Sequence, residues 1–172
     1  AVTIAANLLI FMATHKYVAE VAFWLDKGET LDDITRSSPV FKYYLIPIAQ
    51  RLEQFITYQF LHGDIRHLAG NMVFLWVFGN SVEDRLGKVG YLGFYLAGGV
   101  IAGLGHTLTA VVPVLGASGA VAAVTCAYLV LFPLSNITIV YFIVFFFGAF
   151  EASSIVLIGT EQKDAKKKIF SR

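Results

Sequence analysis

His67-Leu-Ala-Gly-Asn71-Met-Val-Phe-Leu-Trp-Val-Phe-Gly-Asn80-Ser-Val82 is an apolar run without a single formal charge apart from its leading histidine, and the charged turn Glu83-Asp-Arg-Leu-Gly-Lys88 ends it. An uncharged run of this kind is the signature of a segment that spans a bilayer. Apolar length, applied outward, predicts four more spans, the first interrupted by His15, Lys16 and Glu20 and the last holding Glu151. One runs from about Ala1 to Leu25, one from Val89 to Val112, one from Gly116 to Pro133, and one from Ile137 to about Gly159. Between the first span and the quoted run, residues 26–66 hold five basic and six acidic residues, too polar to span. Their apolar patches, 41–49 and 55–61, suit short interfacial or half-buried helices. The expected class is all-α, a polytopic helical bundle and integral membrane protein, multi-pass, treated as a single domain over 1–172.

Composition agrees. Of 172 residues, 57% are hydrophobic and only 15% charged, and the mean hydropathy is +0.69. Soluble domains carry about 25% charged residues, so this chain lacks the polar surface to face water all round. The net charge of +1 provides no basic field for nucleic acid. Cys126 is the only cysteine, which excludes an intrachain disulfide and a thiolate metal cluster. Four histidines without carboxylate partners at ligand spacing give a metal little support. No cofactor is expected, and the bilayer itself is the expected surroundings.

Glycines 93, 98, 99, 103 and 105 crowd the span 89–112. The pair Gly99 and Gly103 predicts close helix packing, with the small face Gly119, Ala120, Ala122 and Ala123 of the next span as its partner. Orientation is weakly set. If the turn at 83–88 is cytoplasmic, the loop before Ser118 lies on the other side, yet the basic tail then offends the positive-inside rule.

Two groups of residues carry chemistry. Ser118 stands between Ala117 and Gly119, after Gly116, where a span begins. A serine there can simply cap the helix. It can also be a nucleophile, since a helix N-terminus favours an oxyanion and small neighbours let a carbonyl approach. His67 and Asn71 are spaced i, i+4 and share a helical face. They read equally as an interhelical hydrogen-bonding pair or as neutral donors to a developing oxyanion.

Taken together and in this order, these motifs resemble the rhomboid family of intramembrane serine proteases. The resemblance runs over 55–133. It rests on Thr57-Tyr-Gln-Phe-Leu-His-Gly-Asp64, on His67-x-x-x-Asn71, on Phe74 to Asn80, on Val82-Glu-Asp-Arg-Leu-Gly87, and on Gly116-Ala-Ser-Gly119. It implies a six-helix core with Ser118 as nucleophile in a water-filled cavity. It further implies that His67 and Asn71 support the oxyanion, that Gly116 and Gly119 give room, and that transmembrane protein segments are the substrates. In a bacterium the membrane would be the plasma or inner membrane.

The resemblance also implies a histidine base in an Ala-His-x-x-Gly setting on a sixth span. No such segment follows Gly159. Of the other histidines, His15 lies in the poorly matching first segment, His62 is expected at the interface, and His106 is expected to face the loop before Ser118 or the headgroups. The start at Ala1 and the stop at Arg172 lead us to expect a chain truncated at both ends. The competing expectation is a pseudoprotease of the same fold that binds membrane clients without cutting them. A third class, a small transporter or channel, would use His67, Asn71 and Glu151 as a polar pathway.

Overall fold

The computed structural model describes residues 2–133 and two strands, Asn136–Ile143 and Phe146–Ser153. The chain divides into two units, Ala1–Thr125 and Cys126–Arg172.

The first unit is helical. Helix α1 (Val2–Asp26) matches the expected first span within a residue at its C-terminal end. It turns off at Gly28, whose φ of +76° only glycine adopts freely. Thr30 then caps α2 (Leu31–Ser37) by accepting the Asp33 N–H. The rest of the polar segment is made of short turns: a 3-10 turn at Phe41–Tyr43, α3 (Gln54–Thr57), and a second 3-10 turn at Tyr58–Phe60. This connector is a packed body. Val18 and Val21 of α1 bury against Ile34, Val40, Phe41, Tyr44, Ile46 and Leu61, while Leu45, Phe55 and Tyr58 form a second cluster.

The stretch quoted at the outset is helical but not uniform. Helix α4 (Ile65–Phe74) passes through a π-helical turn, Leu75–Gly79, into α5 (Asn80–Thr109). The charged turn expected at 83–88 is a kink at one residue: Gly87 has φ +70° inside otherwise helical backbone. The two expected spans therefore meet at Gly87 without a loop. Helix α6 (Ser118–Leu131) is the fourth. Val2–Asp26 and the combined Ile65–Thr109 are long and apolar enough to cross a membrane. Their outward side chains, among them Leu9, Met12, Trp76, Val89 and Ile101, are exposed, which suits lipid and does not suit water.

Helix α1 is tied to α5 by polar groups. Asn7 Nδ2 donates to Tyr95 Oη at 3.2 Å, and Thr3 Oγ1 lies 3.5 Å from Tyr91 Oη. Buried amides and hydroxyls in lipid must find partners in neighbouring helices.

Small residues join α5 to α6, though not the expected pair. A β-carbon on Gly98 would fall on Ala123 Cβ, and one on Gly119 would fall on Ala102 Cβ. Gly99 and Gly103 are turned away. Gly99 faces the Gln59 carboxamide, and a β-carbon on Gly103 would lie 2.9 Å from Leu45 and 3.2 Å from Phe55. A helix advances about 100° per residue, so 98 and 102 meet α6 while 99 and 103 meet the connector.

In the second unit the expected fifth span is overturned. Instead of one helix, β1 (Asn136–Ile143) and β2 (Phe146–Ser153) form an antiparallel hairpin, with Asn136 opposite Ser153 and Ile143 opposite Phe146. Apolar length alone does not separate a strand pair from a span. The segment Ile-Thr-Ile-Val-Tyr-Phe-Ile is β-branched and aromatic, the composition that fits a pleated sheet. Glu151 is thus a strand residue paired with Thr138 and not an acid inside a helix. The rest of that expected span, 154–159, and the polar tail lie outside the described residues. The helical-bundle class stands on Val2–Leu131.

Candidate active site

The site grows from the first turn of α4. Asp64, extended in backbone, accepts the N–H groups of Arg66 at 2.7 Å and His67 at 3.0 Å. A carboxylate at an N-cap satisfies helix donors that have no other partner. These two bonds hold the Asp64 carboxyl below the usual carboxylate range. They also fix His67 in the opening turn, where helical side chains lean back towards the N-terminus. Its ring is half-buried and meets the incoming loop.

That loop carries His62, which the sequence led us to expect at the interface. It is fully buried. Its ring stands edge-on to that of His67, centroids 5.3 Å apart and planes at 70°. Its Nε2 is 3.1 Å from Asn71 Nδ2, one turn further along α4. Asn71 is itself buried. The three side chains form one polar cluster, and His62 is the member that sequence reasoning set aside. The available signal was its place five residues before His67, separated from it by the helix-capping Asp64. Burial, reinforced by the charge His67 can carry, pushes the His62 imidazole down to about 4.

The sign of the linkage follows. A histidine held neutral in the fold and free to protonate when unfolded contributes stability that is complete above its ordinary value of 6.5. That stability is lost as pH falls from there towards about 4. We expect the thermal midpoint in detergent to drop by roughly 5 °C across this window, and a His62→Gln variant to lose most of that drop. An equal drop in the variant would remove His62 as its source.

The Ser118 loop reaches this cluster through Gly116. The Gly116 N–H donates to the Tyr58 carbonyl at 2.9 Å, and Gly116 has φ +128°. A β-carbon here would sit 2.7 Å from His67 Cε1 and 3.0 Å from His67 Nε2. The imidazole therefore lies directly against the glycine, two residues before Ser118. Upstream, Leu45 and Val114 exchange both backbone hydrogen bonds, at 3.1 and 2.9 Å. Downstream, the buried Ala117 accepts the Val121 N–H and starts α6. Tyr58 braces the other side, its Oη donating to the Gly99 carbonyl at 2.6 Å.

Ser118 is exposed at the head of α6. Among the described residues its hydroxyl makes no hydrogen bond, and none of the four histidines is bonded to it. His106 Nε2 is engaged with the Val112 carbonyl at 2.9 Å, clipping the end of α5, and His15 Nδ1 with the Phe11 carbonyl at 3.3 Å. No group of three or more potential metal ligands occurs among the described residues.

The family model described as "Rhomboid domain" matches residues 49–167, a stretch that holds His62, His67, Asn71, Gly116 and Ser118. The chain belongs to the rhomboid family. Curated relatives include the mitochondrial presenilin-associated rhomboid-like protein of Mus musculus, 33% identical over 103 residues. That match covers 57% of this rhomboid chain and 27% of the relative. The Homo sapiens protein of the same description is 32% identical over 103 residues, with the same shares of each chain. Rhomboid-like protein 11, chloroplastic, of Arabidopsis thaliana is 43% identical over 72 residues, covering 40% of this chain and 25% of the relative. The rhomboid chain thus matches about a quarter of the length of these relatives. No solved structure matches it significantly. Family and apolar helices together make it an integral membrane protein.

Proposed function

We propose that this chain carries the nucleophile and oxyanion donors of a multi-pass intramembrane serine endopeptidase that cuts transmembrane segments of membrane proteins. The observation that carries the reading is the contact of the His67 ring with Gly116. It puts the i, i+4 pair of α4 beside the turn that presents Ser118, and spacing alone could not supply that. In this reading Ser118 Oγ attacks the scissile carbonyl, and the developing oxyanion takes hydrogen bonds from the Ser118 N–H, His67 and Asn71. Gly116 and Gly119 keep the approach clear, 1–172 belongs to one rhomboid-like domain, and no cofactor or metal takes part. The relatives' descriptions, mitochondrial and chloroplastic, favour an organelle membrane over a bacterial plasma membrane.

A serine needs a base to lose its proton, and among the described residues no histidine is bonded to the Ser118 hydroxyl, so the second reading is a client-binding pseudoprotease. Exogenous imidazole separates the two. In the protease reading, a fluorophosphonate labels Ser118, labelling rises roughly tenfold with added imidazole acting as the base, and Ser118→Ala abolishes it. Labelling that stays at background at every imidazole concentration would favour the pseudoprotease.

A further inference from the structure

We propose that His62 is the positioning residue of this site: it accepts one N–H of the Asn71 carboxamide, holds the nitrogen end in place and so leaves the second N–H of that nitrogen for a ligand. The inference rests on the protease reading for its catalytic meaning, though the hydrogen bond itself does not.

An asparagine side chain offers two donors at one end and an acceptor at the other, and a half-turn about its last bond exchanges them. An oxyanion site needs the donor end, so something has to forbid the exchange. On this face of α4 that group is His62. Its Nε2 lies 3.1 Å from Asn71 Nδ2, with both side chains buried. A neutral ring whose Nε2 is unprotonated accepts a hydrogen bond and cannot donate one, so it holds the nitrogen end of Asn71 towards itself. One Nδ2 hydrogen is used and, among the described residues, the second has no partner. Turning the amide over would set its carbonyl oxygen against the Nε2 lone pair between two buried side chains, an arrangement that costs more than a lost hydrogen bond.

The ring is held in turn. His67 stands edge-on to it, and the loop carrying it is anchored by the Leu61 N–H to the Tyr58 carbonyl at 3.3 Å. That carbonyl also receives Gly116. Nδ1 is buried, with the Phe60 backbone near the ring but outside good hydrogen-bonding geometry. The ionisable groups facing the ring are His67 and Asp64.

Two measurements on the whole chain in detergent test this. With histidine labelled in 15N, His62 Nε2 should give an unprotonated, acceptor-type resonance, assigned by its disappearance in His62→Gln. It should move in Asn71→Ala. A protonated Nε2, or a resonance indifferent to Asn71→Ala, overturns the proposal. The second measurement follows fluorophosphonate inactivation at Ser118 with imidazole supplied. His62→Phe, which fills the space without an acceptor, should lower the maximal inactivation rate roughly tenfold and leave probe affinity unchanged. His62→Gln, whose Oε1 can accept from Asn71, should recover it to within about threefold. A Phe variant with an unaltered rate, or a Gln variant no better than Phe at equal thermal midpoint, overturns the positioning role. If the parent chain is never labelled, the protease reading fails. The nitrogen resonances then decide the His62–Asn71 assignment by themselves.

Discussion

A Gly99→Leu variant is expected to lose the native fold of the helical unit. The α-carbon of Gly99 lies so close to the Gln59 carboxamide that a β-carbon would overlap its Cδ, Oε1 and Nε2. Gln59 cannot step aside. It is fully buried, and its Nε2 donates to the Phe55 carbonyl at 2.7 Å and the Leu96 carbonyl at 3.2 Å. The Gly99 carbonyl, for its part, receives the Tyr58 hydroxyl at 2.6 Å. Forcing one methylene into such a contact costs about 1–3 kcal/mol. A leucine also breaks the buried hydrogen bonds of Gln59, so the sum should reach about 5 kcal/mol, a large part of a typical domain's stability. Thermal unfolding in detergent and amide exchange of α5 measure it. Gly93 is the control, since nothing lies within 4 Å of its β-position, and Gly93→Leu should change stability by no more than about 1 kcal/mol. Equal behaviour of the two variants would mean that α5 does not dock on the connector through Gly99.

The second large effect is expected at Gly116, and it should fall on reactivity. Gly116→Ala places a β-carbon against the His67 ring and puts alanine at φ +128°. The backbone strain is about 1–3 kcal/mol. His67 is half-buried at the helix start and can swing outward, so the bundle should stay folded while the ring leaves its place. If that ring supports the oxyanion, the rate of Ser118 labelling falls roughly hundredfold and the thermal midpoint falls only modestly. Unchanged labelling in a folded Gly116→Ala protein would detach His67 from the chemistry. The contrast with Gly99 lies in the neighbour: a β-carbon at Gly99 meets the hydrogen-bonded, buried Gln59, whereas one at Gly116 meets the half-buried His67 ring, which has room to move.

Much of this was legible in the sequence. Apolar length located α1, α4, α5 and α6, charged residues within α1 and α5 notwithstanding, since a chain in lipid must satisfy its backbone internally. The i, i+4 spacing put His67 and Asn71 on one face, and Ser118 was recognisable at the head of a helix. Other features were not legible. Apolar length misled at 136–153, where β-branched and aromatic residues pair as a hairpin. The glycine pair at 99 and 103 packs on the connector and not on α6, because a small-residue motif says that something approaches closely but not what. His62 passed for an interfacial residue because its burial depends on the loop folding back over α4.

Apolar stretches and the polar groups set within them can be read residue by residue, because hydropathy and helical period are local properties of consecutive residues. Tertiary structure alone decided which of those groups meet. The rotation of α5 about its axis, the closure of the connector on Gly99 and the folding of the Gly116 turn onto His67 each depend on contacts between residues far apart in the chain, and no local pattern encodes them.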